Sequence, residues 1–524
     1  METIYYNGDF ITMKDKEDHI DALLVRDGKI IYTGSKEEAE RLSSDPDYYD
    51  LEGHTLMPSF IDPHGHITMQ ASYSAFCNLA HCTTFQEIIE TLKEYDQGQK
   101  SIIGYGYDHN FLKEGTHPDK TVLDQVCDDR PIVILHTSGH MCVVNSYVLK
   151  SKDLEGKPDP QGGHYGRYDN GELSGYLEEI PAMMSVLMDV FTDAQKEFPK
   201  LMNNAQDIYL AHGITTCQDG ATSYDGFKGL EMMARNNLLK IDVVSYVMAA
   251  DFDKTLEEYE AYNKTYQHRL KLGGMKMVLD GSPQGKSAWL TKPYKDSGDY
   301  CGYPAFKDSQ VEEWVKDAVS KHQQVLAHCN GDAAGDQYIR AYQKTGCKED
   351  LRPVMIHCQT ARDDQLDEMV KLHMIPSIFV AHTYYWGDVH LKNLGIERGM
   401  RISPVKSALD RGLKYNFHQD PPVVEPDMLH TIWCAVNRKT RSGKSIGEAQ
   451  CIDVYNALKG VTINAAYAYF EEDSKGTLEE GKKADLVILD ENPLKVDKDF
   501  IKDIKVLETI KEGKTLYKKG AVTK

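Results

Sequence analysis

The sequence lacks the marks of several protein classes. No two of its 11 cysteines have the Cys-x-x-Cys spacing, and their number is odd. A disulfide framework and a thiolate metal site are therefore not expected, whereas reduced thiols in a cytoplasm are. No apolar run is long enough to span a bilayer, so no membrane association is expected. The first residues, Met-Glu-Thr-Ile-Tyr-Tyr, lack the basic-then-apolar pattern of a signal peptide. Positive charge is in short supply: 60 Lys and Arg face 81 Asp and Glu, a net charge of −21. Such a surface repels nucleic acid and anionic membranes, which leaves a small-molecule substrate as the expected partner. Among 20 histidines the His-x-His spacing occurs once, at His64 and His66.

What is present is ordinary for a globular chain: 41% hydrophobic and 27% charged residues over 524 positions. That length predicts two or three domains rather than one core. Residues 1–57 read as short strands, with Asp27-Gly28 as a hairpin turn because glycine tolerates positive φ. The C-terminal end repeats the pattern around Glu512-Gly513. Neither end buries enough alone, so 1–57 and 471–524 are expected to pair into one composite β-sandwich. Between them β runs alternate with amphipathic helices, which predicts parallel strands. The runs are 60–61, 214–217, 243–247, 275–279, 325–328, 353–357, 375–380 and 413–417. Eight is the number that closes an α/β (β/α)8 TIM barrel, placed here at 58–69 and 196–470. One helix is expected to bury Leu201, Ala205, Ile208 and Tyr209 and to stop at Gly213; another is expected to be capped by Ser309, with Glu312 three residues on. Residues 70–195 are too long for one connection and carry their own β run, 131–135. They are expected to form an inserted subdomain over the active-site mouth.

Several strands end in a potential ligand. In extended backbone His64 and His66 leave the same face, just past the first strand. His328 ends the fifth strand, His357 the sixth, and Asp420 follows the eighth. The C-terminal strand ends of such a barrel meet at one mouth, and four His with one Asp suit a divalent cation of the zinc type. Lys276, inside the fourth strand, faces the same way if that strand is regular. A buried lysine amine loses its proton and captures carbon dioxide, and the carbamate bridges two cations. Each residue also has a plainer reading: histidines satisfied in a core, a snorkelling lysine, and Asp420 as a cap beside Pro421.

At this point the motifs resemble a family. The stretch 58–66, Pro-Ser-Phe-Ile-Asp-Pro-His-Gly-His, is similar to the opening motif of the amidohydrolase superfamily, and 475–487, Lys-Gly-Thr-Leu-Glu-Glu-Gly-Lys-Lys-Ala-Asp-Leu-Val, to its closing motif. Residues 104–108, 139–146, 162–163, 175–179, 276–281 and 328–332 resemble the amidohydrolase family 3 branch, related to N-substituted formamide deformylases. The resemblance implies a metal-dependent hydrolase with His64, His66, His328 and His357 as metal ligands and Asp420 as the catalytic carboxylate. One or two divalent ions, zinc first, are implied, bridged by carboxylated Lys276 or by Glu179. His140, His382 and Tyr384 are the candidates for contacts to substrate. The chain departs from the family at Ser59, where relatives carry Gly. Phe417-His418-Gln419 also stands before Asp420, where many have Gly-Ser, which makes His418 an unusual neighbour. The expected reaction is hydrolysis of a non-peptide C–N bond (amide, N-formyl or carbamate) by metal-activated water with Asp420 as base. The alternatives are a ring deaminase of the same superfamily, which would want a Glu close after His328 where 329–336 has none, and a non-catalytic metal-stabilised regulatory protein. Homo-oligomers are common among such barrels.

Overall fold

Eight parallel strands in chain order make the central sheet of this computed structural model, which describes residues 2–187 and 197–520. The strands are Phe60–Ile61, Ile214–Thr222, Asp242–Met248, Leu270–Val278, Gln324–Cys329, Val354–His357, Ile375–Ile378 and Asn416–Phe417. Every one falls on a run that the sequence predicts, although the last is shorter than expected. The sheet curls until its two edges approach: the His66 N–H donates to the carbonyl of Pro421, just past the eighth strand, at 2.8 Å. The edges are not zipped by a ladder. The Ile61 N–H, which would point at the eighth strand, donates instead to the Val461 carbonyl at 2.9 Å.

Alternation sorts the side chains of this sheet. Val325, Ala327 and Cys329 pack outward with the helices, and Leu326 packs inward with Val244, Tyr246 and Ile356. His328 therefore shares the inward side of its strand with Leu326. Likewise Met275 and Met277 point out, which sends Lys276 in. The helix Phe198–Ala211 buries Leu201, Ala205 and Tyr209, and Gly213 just past it has φ +79°. The helix Asp308–Ser320 begins two residues earlier than predicted. Lys307 is its cap and Ser309 lies inside it, because extended backbone at Lys307 (φ −71°, ψ 149°) is followed at once by helix. Val311, Val315 and Ala318 are buried on it.

Both ends of the chain contribute to one five-stranded sheet: Asp9–Phe10, Thr55–Pro58, Leu486–Leu489, Val506–Lys511 and Lys514–Lys518. Pro58 pairs with Leu486 in its register. A four-stranded sheet of Glu2–Tyr6, Ala22–Arg26, Lys29–Gly34 and Asp47–Asp50 shares a core with it through Leu23, Val25, Leu56, Leu486 and Ile510. Asp27-Gly28 and Glu512-Gly513 are both two-residue turns with positive φ throughout.

Residues 77–178 hold a separate six-stranded sheet, in which Ile132–His136 is central. Ile132 and Ile134 enter one cluster while Val133 and Leu135 enter another, so this strand is buried on both faces. Residues 188–196, where the sequence places the end of the insert, and 521–524 lie outside the described residues. Among the described residues no helix is long and apolar enough to cross a membrane.

Candidate metal centre

The inward residues at the C-terminal strand ends come together. His66 Nε2 lies 3.1 Å and His64 Nε2 3.4 Å from Asp420 Oδ1. His357 Nε2 lies 3.8 Å from Asp420 Oδ2 and 3.2 Å from His328 Nδ1. Lys276 Nζ stands 3.4 Å from His64 Nε2. These separations match the spacing of atoms that share one cation at bonds of about 2.0–2.2 Å.

The outer hydrogen bonds decide which nitrogens are free. Gln218 Nε2 donates to the Pro63 carbonyl at 2.7 Å, so its Oε1 accepts from His64 Nδ1 at 2.6 Å. That bond puts the proton on Nδ1 and leaves the His64 Nε2 lone pair facing Asp420. His328 Nε2 lies 3.3 Å from the Gly281 carbonyl and 3.0 Å from Asn330 Nδ2, and its Nδ1 is 3.2 Å from His357 Nε2. His357 Nδ1 is 3.1 Å from His418 Nε2, and His418 Nδ1 is 2.9 Å from Ser377 Oγ. His418, the departure from the family pattern, thus orients His357. Gln218 and Ser377 escaped the sequence reading; Gln218 stands just past the predicted run 214–217, inside the strand Ile214–Thr222.

Burial sets the charge states. It pushes the His64, His328 and His357 imidazoles well below their ordinary value, so they stand neutral, the form of imidazole that can bind a cation. Lys276 is 1% exposed, and burial brings its amine down to about 8. Asp420 Oδ1 is buried and makes no hydrogen bond, despite the two imidazole nitrogens beside it. An orphaned carboxylate oxygen among free imidazole lone pairs fits a divalent cation. A lysine ammonium would repel that cation; the lowered pKa of Lys276 lessens this objection.

Two of these residues sit in backbone that side chains seldom adopt. His357 has φ +69° and Asp420 φ +56°. Strict alternation would send His357 outward beside Met355, and the left-handed turn brings it back to the mouth. Glu179, with φ +66°, follows the insert strand Leu173–Glu178. Its Oε2 is 2.8 Å from His140 Nδ1, and its Oε1 is buried without a partner. The His140 ring is 5.2 Å from that of His328. His382 lies one layer away, against Phe379 and stacked on His390. The aromatic neighbours of Tyr384 are Tyr385, His430 and Trp433 rather than the central histidines.

Comparison with known proteins agrees with this arrangement. The chain is 26% identical over 535 residues to the Bacillus subtilis protein YtcJ, covering 99% of this chain and 100% of that one. It is 23% identical over 549 residues to the N-substituted formamide deformylase of Arthrobacter pascens, covering 98% of each. An uncharacterized metal-dependent hydrolase from Pyrococcus furiosus superposes with a TM-score of 0.76 at 25% identity, covering 94% of this chain and 100% of that one. One from Pyrococcus horikoshii gives 0.78 at 24%, covering 95% and 99%, and shares the fold. The model of an amidohydrolase family matches residues 47–517, nearly the full length. The chain therefore belongs to the amidohydrolase family, and it is a hydrolase.

Proposed function

We propose that this protein hydrolyses a non-peptide carbon–nitrogen bond, in an amide, N-formyl or carbamate group, at the mouth of a (β/α)8 barrel capped by a composite β-sandwich. The observation that carries the reading is the meeting of His64, His66, His328, His357 and Asp420, in which neighbouring nitrogen and oxygen atoms lie pairwise 3.1–3.8 Å apart. The four histidines would hold one or two zinc-type cations, which when bound would acidify a water and polarise a carbonyl oxygen. Lys276, as N6-carboxylysine, is the bridge we favour where two ions bind, and Glu179 is the alternative. Asp420 takes the proton from the attacking water and returns it to the departing nitrogen. Its burial keeps that proton from bulk solvent. His140, His382 and Tyr384 are the candidates for contacts to substrate, and of these His140 stands beside the ligand set.

The name of the Arthrobacter relative supports an N-formyl or similar amide. The deaminase reading is weaker: the helix after His328, Asp332–Thr345, contains no Glu to shuttle a proton to a ring nitrogen. The test is release of amine from a panel of N-substituted formamides, amides and carbamates by protein of measured metal content. Hydrolysis that stops on chelation and returns with zinc supports the proposal. Full activity in a metal-free preparation, or ammonia release from a heterocycle alone, defeats it.

A further inference from the structure

A cavity of about 360 Å³ opens at the end of the barrel opposite the candidate metal centre. Lys271 and Gly273, near the start of the fourth parallel strand, line it together with Gln324, the first residue of the fifth, and residues of the 469–475 segment. Its walls are aromatic: Tyr246, Tyr266 and Tyr469 face it, and the rings of Tyr246 and Tyr469 stack 6.3 Å apart. A space of this size with flat walls suits a ligand built on one small ring.

Two hydrogen-bond donors in this cavity are unspent. Lys271 is 6% exposed, and its ammonium carries three N–H groups. It donates to the Tyr469 carbonyl at 3.0 Å and to Glu471, which leaves one N–H over. The Tyr266 hydroxyl, close enough to Glu471 to feel its charge, is buried and makes no hydrogen bond. The acceptors, by contrast, are engaged. Gln324 Oε1 accepts from the Tyr246 hydroxyl at 2.5 Å, and Glu471 lies against both Lys271 and Lys475. At the rim Glu349 meets His322 at 2.6 Å and Asp350 meets Arg352 at 3.2 Å. Lys264 donates to the His322 carbonyl and, among the described residues, pairs with no acid. In a chain of net charge −21 this cavity therefore sets four lysines against three acids. Unspent donors and surplus positive charge call for an anionic acceptor.

One wall of the cavity reaches the metal centre through hydrogen bonds. The Tyr469 hydroxyl donates to the Asp62 carbonyl at 2.8 Å and accepts from Gln218 Nε2 at 3.3 Å. Gln218 Oε1 in turn holds His64 Nδ1 at 2.6 Å. Lys271 grips the backbone of the same tyrosine, so a ligand that draws on the Lys271 ammonium pulls on Tyr469 and, through Gln218, on the aim of the His64 ring.

We propose that this cavity is an effector site for a small aromatic monocarboxylate, with its ring between the tyrosines and its carboxylate on Lys271 and Tyr266, and that Tyr469 and Gln218 couple it to His64. The site stands whatever bond the enzyme hydrolyses.

Calorimetric titration of zinc-loaded and metal-free protein with benzoate, benzyl alcohol and benzylamine reads the site without turnover. Benzoate is expected to bind both forms, about tenfold or more tighter than benzyl alcohol, with benzylamine weakest. Tyr266→Phe, which removes one hydroxyl, is expected to weaken benzoate about 3–10-fold and leave zinc content at the wild-type value. Lys264→Gln, at the exposed rim, is expected to weaken it less. Saturating benzoate is expected to shift zinc affinity about 2–10-fold by competition with a chromophoric chelator, and zinc to shift benzoate affinity by the same factor. Tyr469→Phe keeps the ring and is expected to bind benzoate while losing that shift. Benzoate binding only to the zinc-loaded form, which would place it on the metal, overturns the site. So does benzyl alcohol binding as tightly as benzoate, or an unchanged benzoate affinity in Tyr266→Phe. Zinc affinity that benzoate leaves unaltered, or a shift that persists in Tyr469→Phe, overturns the coupling.

Discussion

The two ends of the parallel sheet handle buried charge in opposite ways. At the C-terminal mouth the polar groups are left short of partners: neutral imidazoles aim lone pairs at one another, and Asp420 and Glu179 each keep a buried oxygen unbonded. At the other end buried charges stand beside opposite charges in ion pairs. Lys475 contacts Asp242 at 2.7 Å and Glu471 at 2.6 Å, and Lys511 contacts Asp242 and Asp485 at 2.7 Å each. Arg269 holds the other oxygen of Asp242 at 3.1 Å, and Lys271 pairs with Glu471. This lattice ties the strands starting at Asp242 and Leu270 to the terminal sheet through Asp485 and Lys511. It also gives the closing motif at 475–487 a structural job: Lys475 and Asp485 are two of its knots. In barrels of this kind chemistry belongs to the C-terminal strand ends and stability to the N-terminal ones. Here the contrast is between unpaired donors and acceptors at the mouth and paired charges in the lattice.

Mutation at each end tests the contrast. Asp420→Asn is expected to lower the hydrolytic rate by about 10²–10⁴-fold with unfolding free energy unchanged or raised, because it removes a charge that burial disfavours. Steady-state rates beside a denaturant melt check this, and equal losses of rate and stability would erase the contrast. Asp242→Ala at the opposite end strands Lys475 and Lys511 in the interior. It is expected to cost about 3–5 kcal/mol in denaturant unfolding while the surviving folded enzyme keeps its turnover. Gln218→Leu sharpens the comparison within the mouth: with no acceptor for His64 Nδ1 the ring loses its tautomer and aim. Metal affinity should fall about 10–100-fold by competition with a chromophoric chelator, with little change in stability.

The smallest effect is on acid stability. Burial disfavours the Glu471 carboxylate, but Lys475 and Lys271 overcome this and bring its pKa from 4.5 down to about 2. A depressed acid contributes stability above its unfolded pKa and loses it as pH falls toward the folded one. The difference in unfolding free energy between wild type and Glu471→Gln should therefore be about 1–3 kcal/mol near neutral pH and should close on acidification through that window. A gap that stays constant with pH would show that the lattice is not built on ionised Glu471.

Local pattern made much of this protein legible. All eight parallel strands, both two-residue turns and the inward side of Lys276 and His328 follow from period-two alternation and the φ freedom of glycine, which are properties of short stretches of chain. The ligand types were legible too, since His and Asp at strand ends have few other reasons to recur. What alternation could not give is the re-aiming of His357, which needs a φ of +69° that tertiary packing imposes on a residue that resists it. The choice of free nitrogen on each histidine was equally hidden, because it depends on Gln218, Gly281 and His418, residues 47–154 positions away in the chain. So was the lysine-bearing cavity, whose walls come from three barrel strands and the 469–475 segment. The sequence by itself determined which residues could bind a cation and on which strands they stand. Only the folded chain decided which lone pairs are free and which acids stay unpaired, because those depend on contacts between segments that no local rule brings together.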